Sequence, residues 1–573
     1  MKNLKNIFQA AVVALGLSIS VNTNAQVIST NFFGQNAWMP DTIGSVNYGG
    51  KLHKNWSNIR DSKVSMIRFG GIAPDNNKPT NFQYIKMIDS VRAKGMEPII
   101  QVPFHLGAYS ASQAAAIVQF LNVTKGKNIK YFSIGNEPDL DYKYTSAAQV
   151  AAYFKPFASA MKAVDPSIFI VGPECAWYNQ AIMEGLTTPN GPNDITGKDA
   201  AGRYYLDVIS FHSYPFDGTQ TRESMITKLT DANGFEANLT ALNTRVAAAN
   251  LAHNRTGSAA LKTAVTEANV CYKNASTDNL NGVGVNSFIG AQFIAEMLGI
   301  GMKQGVNFMT IWSVIEGNSQ MLNIGYIDQN TGNKKPAFYH YQMMADNMKG
   351  NVAAATSNQT KVKTFGSQSS QFISVMIMNQ ELTTNHNFTV RLNSNAIAGS
   401  SSLKINVAAN LNIEYNGTIN NQSSVMLTFN SAGVLVKKVE YSLATHATNN
   451  QAPTVTLYNG GVGNVSGNVT TAVDEQGNDI VSMKGFAMNV YPNPANSKFT
   501  IELDRVNTQD VKFFVEIYDL MGRLIFTQNS IFTERQQKID LSGASLAEAV
   551  YIVRVREASD KDNVRASKII IFK

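Results

Sequence analysis

The chain has 573 residues, 44% hydrophobic and 16% charged, a globular balance that excludes a largely disordered or collagen-like polymer. Its 48 basic and 41 acidic residues give a formal charge of +7 with no Lys/Arg block or aromatic-basic stripe, so a nucleic-acid partner is not expected. Two cysteines in so long a chain build no disulfide framework and, alone, no structural zinc site. The length predicts about three to four domains.

Residues 1–25 read as a signal peptide. Lys2 and Lys5 precede a mostly apolar run from Ile7 to Val21, and Thr23-Asn24-Ala25 offers a cleavage point before Gln26. The apolar run is shorter than the roughly 20 residues a membrane span requires, and no later segment is long enough, so no transmembrane segment is expected. Loss of residues 1–25, with two lysines and no acids, takes the charge from +7 to +5.

Residues 26–345 keep a strand–helix rhythm. Strand-like runs fall near 29–34, 64–70, 97–104, 130–136, 167–174, 207–214, 262–267 and 307–313. Between them lie helical patterns. Tyr84, Ile85, Ile88 and Val91 share one face ahead of Gly95, and Val150, Phe154, Phe157, Met161 and Val164 run up to Asp165-Pro166. Eight such units predict an α/β fold, a closed (β/α)8 barrel, with an open doubly wound sheet as the alternative. No Gly-rich fingerprint follows the first strand, which disfavours a dinucleotide fold. From 346 to 445 the period becomes two, in 371–378, 388–392, 425–429 and 434–441, and predicts an antiparallel β-sandwich. Residues 446–487 read as an Asn/Gly/Thr-rich linker, and 488–573 as a small all-β domain.

In a (β/α)8 barrel the functional mouth lies at the C-terminal ends of the strands. Glu137 ends the fourth strand in SIGNEPDL and Glu267 ends the seventh in TAVTEANV, which points both carboxylates at one cleft. Two carboxyl groups facing one bond are what glycosidic cleavage needs, one protonated to serve the leaving oxygen and one ionised to meet the anomeric carbon. A carboxyl near a second negative charge has a raised pKa, which keeps an acid available near neutral pH.

Asn136-Glu137-Pro138 closing strand four, with Glu267 closing strand seven, resembles the clan A glycoside hydrolases, the "4/7" barrels. With the following β-sandwich, the likeness is to families 39, 79, 30 and 51, over roughly residues 28–445. It implies Glu137 as acid/base, Glu267 as nucleophile and net retention. The same resemblance suggests Arg68, ending strand two, as the residue that orients the nucleophile, and Tyr214 as a hydroxyl beside it. His212 ends strand six with Tyr214. Asn136 has donors for a sugar 2-hydroxyl, and Trp312, ending strand eight, offers an apolar platform. His105 and Glu174, ending strands three and five, complete the candidate substrate-binding set. Each of these also has a plainer reading, as turn, salt bridge, rim or core.

Cys175 and Cys271 pair or stay as free thiols; nothing builds a Cys–His constellation. No HExxH, EF-hand or P-loop pattern is present, so neither a catalytic metal nor a cofactor is expected. NVYPNPANSKFTIEL (489–503), with Tyr491-Pro492-Asn493-Pro494, then the Gly522-Arg523 turn and the terminal SKIIIFK, resembles the sorting domain of the type IX secretion system. That resemblance implies a Bacteroidetes-type cell, the type IX machinery as partner, and a secreted or cell-surface protein. The expected function is a secreted retaining glycosidase of polysaccharide or oligosaccharide. A surface-displayed carbohydrate-binding or adhesive protein and a transglycosylase using the same glutamates remain as alternatives. Retention requires the two carboxyl groups about 5–5.5 Å apart.

Overall fold

The barrel closes through its first and last strands. In the computed structural model β1 (Phe33–Asn36) pairs in parallel with both β2 (Met66–Phe69) and β8 (Phe308–Ile311), with Phe33 opposite Met309. Between them run β3 (Glu97–Val102), β4 (Tyr131–Ile134), β5 (Phe169–Cys175), β6 (Val208–Ser213) and β7 (Lys262–Ala268), in chain order around a closed ring. The open-sheet alternative is thereby excluded. The structure describes residues 26–37, 52–140, 144–316, 323–328, 331–393, 402–462, 488–493, 495–503, 512–519, 524–531, 536–541, 547–557 and 564–571. The signal-peptide expectation (1–25), Pro494 and the Gly522-Arg523 turn lie outside them.

Local chemistry accounts for the helices between the strands. Helix Asn81–Arg92 opens on a Thr80/Gln83 capping box and buries Tyr84, Met87, Ile88 and Val91, while Ile85 is only partly buried. Gly95 follows at φ 76°, where a side chain would be strained. Helix Ala147–Val164 is capped by Ser146 and stops at Asp165, because the residue before a proline disfavours the helical region. Inside the ring, Met66, Ile99, Tyr131, Val171, Val208, Ala264 and Phe308 form an apolar floor. Two residues further along their strands, on the same face, stand Arg68, Gln101, Ser133, Pro173, Ser210, Thr266 and Thr310. The barrel is therefore apolar below and polar above, and the polar layer carries the site.

The sandwich packs on the barrel through two buried helices. Gln292, on helix Phe288–Lys303, donates to the carbonyls of Asn379 and Ser423, and Glu296 pairs with Lys363 at 3.1 Å. The second helix, Pro336–Asn347, contributes His340. The sandwich has a four-stranded and a six-stranded sheet. Pairing is antiparallel except between His386–Arg391 and Leu403–Val407, which run parallel. The six-stranded sheet extends past the expected boundary at 445. Strand Thr454–Val462 joins its edge, so the first part of the expected linker is structured; residues 463–487 lie outside the described residues. The last block forms a second compact unit, described by itself. It has a three-stranded and a four-stranded sheet around Phe499, Ile501, Val515, Ile517, Val553 and Ile569.

His340 makes the barrel–sandwich contact sensitive to acid. It is fully buried, with Nδ1 donating to the Pro336 carbonyl and Nε2 accepting from Ser424 Oγ at 2.8 Å. Burial pushes its pKa from 6.5 down to about 4. The folded state then binds this proton less readily than the unfolded state. Its stabilising contribution is complete above pH 6.5 and falls as the pH drops to 4, by about 3 kcal/mol at most. Unfolding free energy followed from pH 7 to pH 4 should fall, and should fall less in His340→Gln; equal slopes would remove His340 as the cause.

Candidate active site

Arg68 is the hub. Its side chain is fully buried at the end of β2. Nη1 donates to Asn36 Oδ1 (2.9 Å) and Glu267 Oε1 (2.9 Å); Nη2 reaches Gln101 Oε1 (3.2 Å), Asn136 Oδ1 (3.0 Å) and Glu174 Oε2 (2.6 Å). Gly70 leaves the room for this fork, since a Cβ there would stand 2.5 Å from Arg68 Cζ and 2.6 Å from Gln101 Oε1.

The three carboxylates reach the mouth through irregular backbone. Alternation from Val171 and Ala264, both on the barrel floor, would turn Glu174 and Glu267 outward. Instead β5 bulges at Glu174, whose φ is 63°, and β7 bulges so that His212 faces Glu267 with Thr266 as the extra residue. Glu137 lies just past β4 at φ 46°, its N–H donating to the Glu174 carbonyl at 2.9 Å. His212 needs no such device, being four residues from Val208 on the same face of β6.

His212 stands among all three acids. Nδ1 lies 3.0 Å from Glu137 Oε1 and 3.6 Å from Glu267 Oε2, and Nε2 lies 3.3 Å from Glu174 Oε2. Burial alone would lower its pKa, but the charge of Glu267 and hydrogen bonds to Glu137 and Glu174 lift it to about 10. For Glu174, burial raises the pKa, and the Arg68 charge and the His212 hydrogen bond overcome this and bring it to about 2. Burial also pushes Glu267 up, against the pull of His212, Arg68 and the Tyr214 hydroxyl, which donates to Oε2 at 2.8 Å. One atom of each of Glu137, His212 and Glu267 lies within 4.8 Å of the others, close enough for a divalent cation. A cation there would have to displace the contacts that His212 makes to the carboxylates through both of its nitrogens.

The structure thus brings together Glu137, Glu267, Asn136, Arg68, Tyr214, His212 and Glu174. Trp312 is buried: its ring packs over Gly71 and its Nε1 donates to Glu316. The expected open platform is mostly covered. His105 is not bonded into the carboxylate cluster by any hydrogen bond among the described residues; its backbone N–H donates to Asp75 Oδ2 at 3.0 Å. Cys175 and Cys271 are both free thiols. Sequence reasoning missed Asn36, Gln101, Asp75 and Glu316. Asn36 falls at the end of β1, beyond the 29–34 expected for that strand, and Gln101 is an inward strand position that alternation would have found. Asp75 is lifted by burial to about 6, and Glu316 by burial to about 7; Asp75 sits in the short helix Ile72–Asn76 and Glu316 in a loop, and neither segment carries a pattern.

The model of the secretion system C-terminal sorting domain matches residues 489–572. The last block is thus a sorting domain, and the protein is exported, to the cell surface or beyond. A search of the curated proteins returns no match. Among solved structures the chain is similar to a xyloglucanase of glycoside hydrolase family 44 from Paenibacillus polymyxa (13% identity; 71% of this chain and 97% of that chain; TM-score 0.49). It is also similar to a bifunctional glucanase-xylanase protein from a metagenome library (17%; 71% and 97%; 0.47) and to a family 39 β-xylosidase from Caulobacter crescentus (17%; 65% and 82%; 0.43). These are distant likenesses, and the functional reading stands on the geometry of the site itself.

If Arg68 is the hub, crowding it and removing it should rank clearly in urea unfolding. Gly70→Ala should cost about 1–3 kcal/mol by overpacking. Arg68→Met, which strands two buried carboxylates, should cost about 3–5 kcal/mol. The reverse order would show that the guanidinium is not what the layer depends on.

Proposed function

We propose that the protein is a secreted retaining glycoside hydrolase acting on a polysaccharide or oligosaccharide, exported by the type IX route. One observation carries this reading: two glutamates share the barrel mouth with oxygens within 4.8 Å, in unequal surroundings. That closeness favours retention, because an inverting pair needs about 6.5–9.5 Å to hold a water between its carboxyl groups. Glu267 receives Arg68 and Tyr214 and has His212 at 3.6 Å, whereas Glu137 has, among the described residues, His212 alone and keeps its side chain 18% exposed. Burial raises Glu267 on balance, but three positive or donating groups oppose it and favour the ionised form, and the partly open Glu137 is the one able to exchange a proton with substrate and water.

In the first step a Glu267 oxygen bonds to the anomeric carbon as the bond to the leaving oxygen breaks, and that oxygen takes the proton of Glu137. In the second, Glu137 removes a proton from water, whose oxygen displaces Glu267. Arg68 and Tyr214 fix the attacking carboxylate so that little ordering is left for the encounter. Asn136 has its Oδ1 committed to Arg68, so what it offers a sugar hydroxyl is its NH2 group, a donor.

The test is sugar release across plant and acidic polysaccharides and aryl glycosides. Glu267→Gln should lose at least about 10⁴-fold in kcat. Glu137→Ala should lose about 10²–10⁴-fold on natural leaving groups and much less on aryl glycosides that leave without a proton. Release unaffected by Glu267→Gln would refute the assignment. Inverted product anomers, read by NMR, would refute retention alone.

A further inference from the structure

Glu174 is the acid of the cluster that substrate cannot reach. It is fully buried, and both its oxygens are committed beneath the mouth. Oε1 accepts from Ser210 Oγ at 2.8 Å, and Oε2 takes Arg68 Nη2 at 2.6 Å and faces His212 Nε2 at 3.3 Å. His212 is closed in as well, with Glu174 on one nitrogen and Glu137 and Glu267 on the other. A neutral imidazole carries one N–H, so it would turn a lone pair on a carboxylate at one end; the doubly protonated ring satisfies both ends.

Charge then decides how many protons the two mouth glutamates hold. Arg68 and His212 bring two positive charges and Glu174 one negative charge, so the sum is zero when one of Glu137 and Glu267 is ionised and the other neutral. The donors Arg68 and Tyr214 on Glu267 leave the proton to Glu137. Around His212 the other groups are Tyr214 on its own strand, Asp139 beyond Glu137, Cys175 beside Glu174, and Arg68 on β2. Asp139 is itself raised by burial, though it accepts from the Ala176 N–H at 2.8 Å.

We propose that Glu174 is a positioning residue: it holds Arg68 and His212 as paired cations beneath the two mouth glutamates, and so keeps a single proton on that pair, which Arg68 and Tyr214 on Glu267 leave to Glu137. This rests on the acid/base and nucleophile reading above. Removing its negative charge while keeping its shape leaves the layer one charge too positive. His212 then loses its proton at lower pH, and the layer as a whole holds protons less tightly. Substrate contact is unchanged, because Glu174 makes none.

The experiment pairs a spectrum with a rate profile on the full chain. With ¹⁵N-histidine labelling, and His212→Gln to assign the signal, wild-type His212 should show both N–H groups up to pH 8. A neutral ring at pH 7 overturns the proposal, whatever the variants do. In Glu174→Gln the His212 titration and the basic limb of kcat/KM should both move down by a pH unit or more. At pH 7, kcat should fall about tenfold and KM by less than threefold in either direction. A limb and a titration that stay in place, or a change confined to KM, overturn it. Should Glu174→Gln fail to fold, Ser210→Ala loosens Glu174 without removing its charge. It should move the limb down by a smaller amount, and no movement or a rise counts against the proposal. If the wild-type protein cleaves no glycoside, the proposed function fails while the His212 spectrum still reports on Glu174. A neutral His212 in an active enzyme sinks this proposal alone.

Discussion

A guanidinium without access to water sets the terms for everything above the barrel floor. Burying Arg68 costs several kcal/mol of lost hydration, which is recovered only if its donors meet well-placed acceptors. Its two Nη groups do so on two carboxylates and three amide oxygens, drawn from β1, β3, β5, β7 and the turn after β4, while Nε meets no acceptor among the described residues. Arg68 thereby fixes the relative positions of strands that are distant in sequence. Lysine could not replace it, since a single ammonium has no planar fork to share among five acceptors.

Such a layer needs an apolar foundation. The floor of Met66, Ile99, Tyr131, Val171, Val208, Ala264 and Phe308 is almost wholly removed from water, and each large aliphatic or aromatic side chain there contributes about 1.5–3 kcal/mol. That term tolerates a charged storey above it and the strained backbone at Glu137 and Glu174. A positive φ at a non-glycine residue costs of order 1–3 kcal/mol and persists only where its surroundings hold it. Here the surroundings are the Glu137–Glu174 backbone hydrogen bond and the salt bridges of Arg68 and His212. Strain and charge sit at the same residues, which is where a site must be stiff.

Strand-end arithmetic found the barrel and most of the polar cluster at its mouth, because a strand's last residues face the mouth whatever the local detail. Arg68 and His212 follow simple alternation from the floor. Glu174 and Glu267 do not: each lies three residues from a floor residue, on the face that period two assigns to the helices. Bulges bring them inward, and no residue in GPEC or AVTEA announces a bulge. Their presence in the cleft could be expected only from where the strands end. Trp312 illustrates the opposite failure. Its slot promised a platform, but burial depends on Gly71 and Glu316, which neighbouring loops supply and which alternation within β8 cannot foresee. The strand at Thr454–Val462 was missed for a third reason: Asn, Gly and Thr there resemble loop composition, and pairing to an existing sheet edge overrides weak propensity.

The two carboxylates that matter most are chemically identical, so their difference must come from what surrounds them. Desolvation alone would raise both and separate neither. Among the described residues Arg68 and Tyr214 bond to Glu267 and not to Glu137, and this asymmetry is what the proposed division into donor and nucleophile rests on. His212 cannot create it, lying against both. What His212 does is couple them: when Glu267 gives up its charge to an anomeric carbon, the imidazolium is left facing Glu137 and Glu174 only. Under the proposed reading, the layer would then favour an ionised Glu137, the form a base must have for the second step, so that one arrangement of fixed charges would serve both halves of the double displacement.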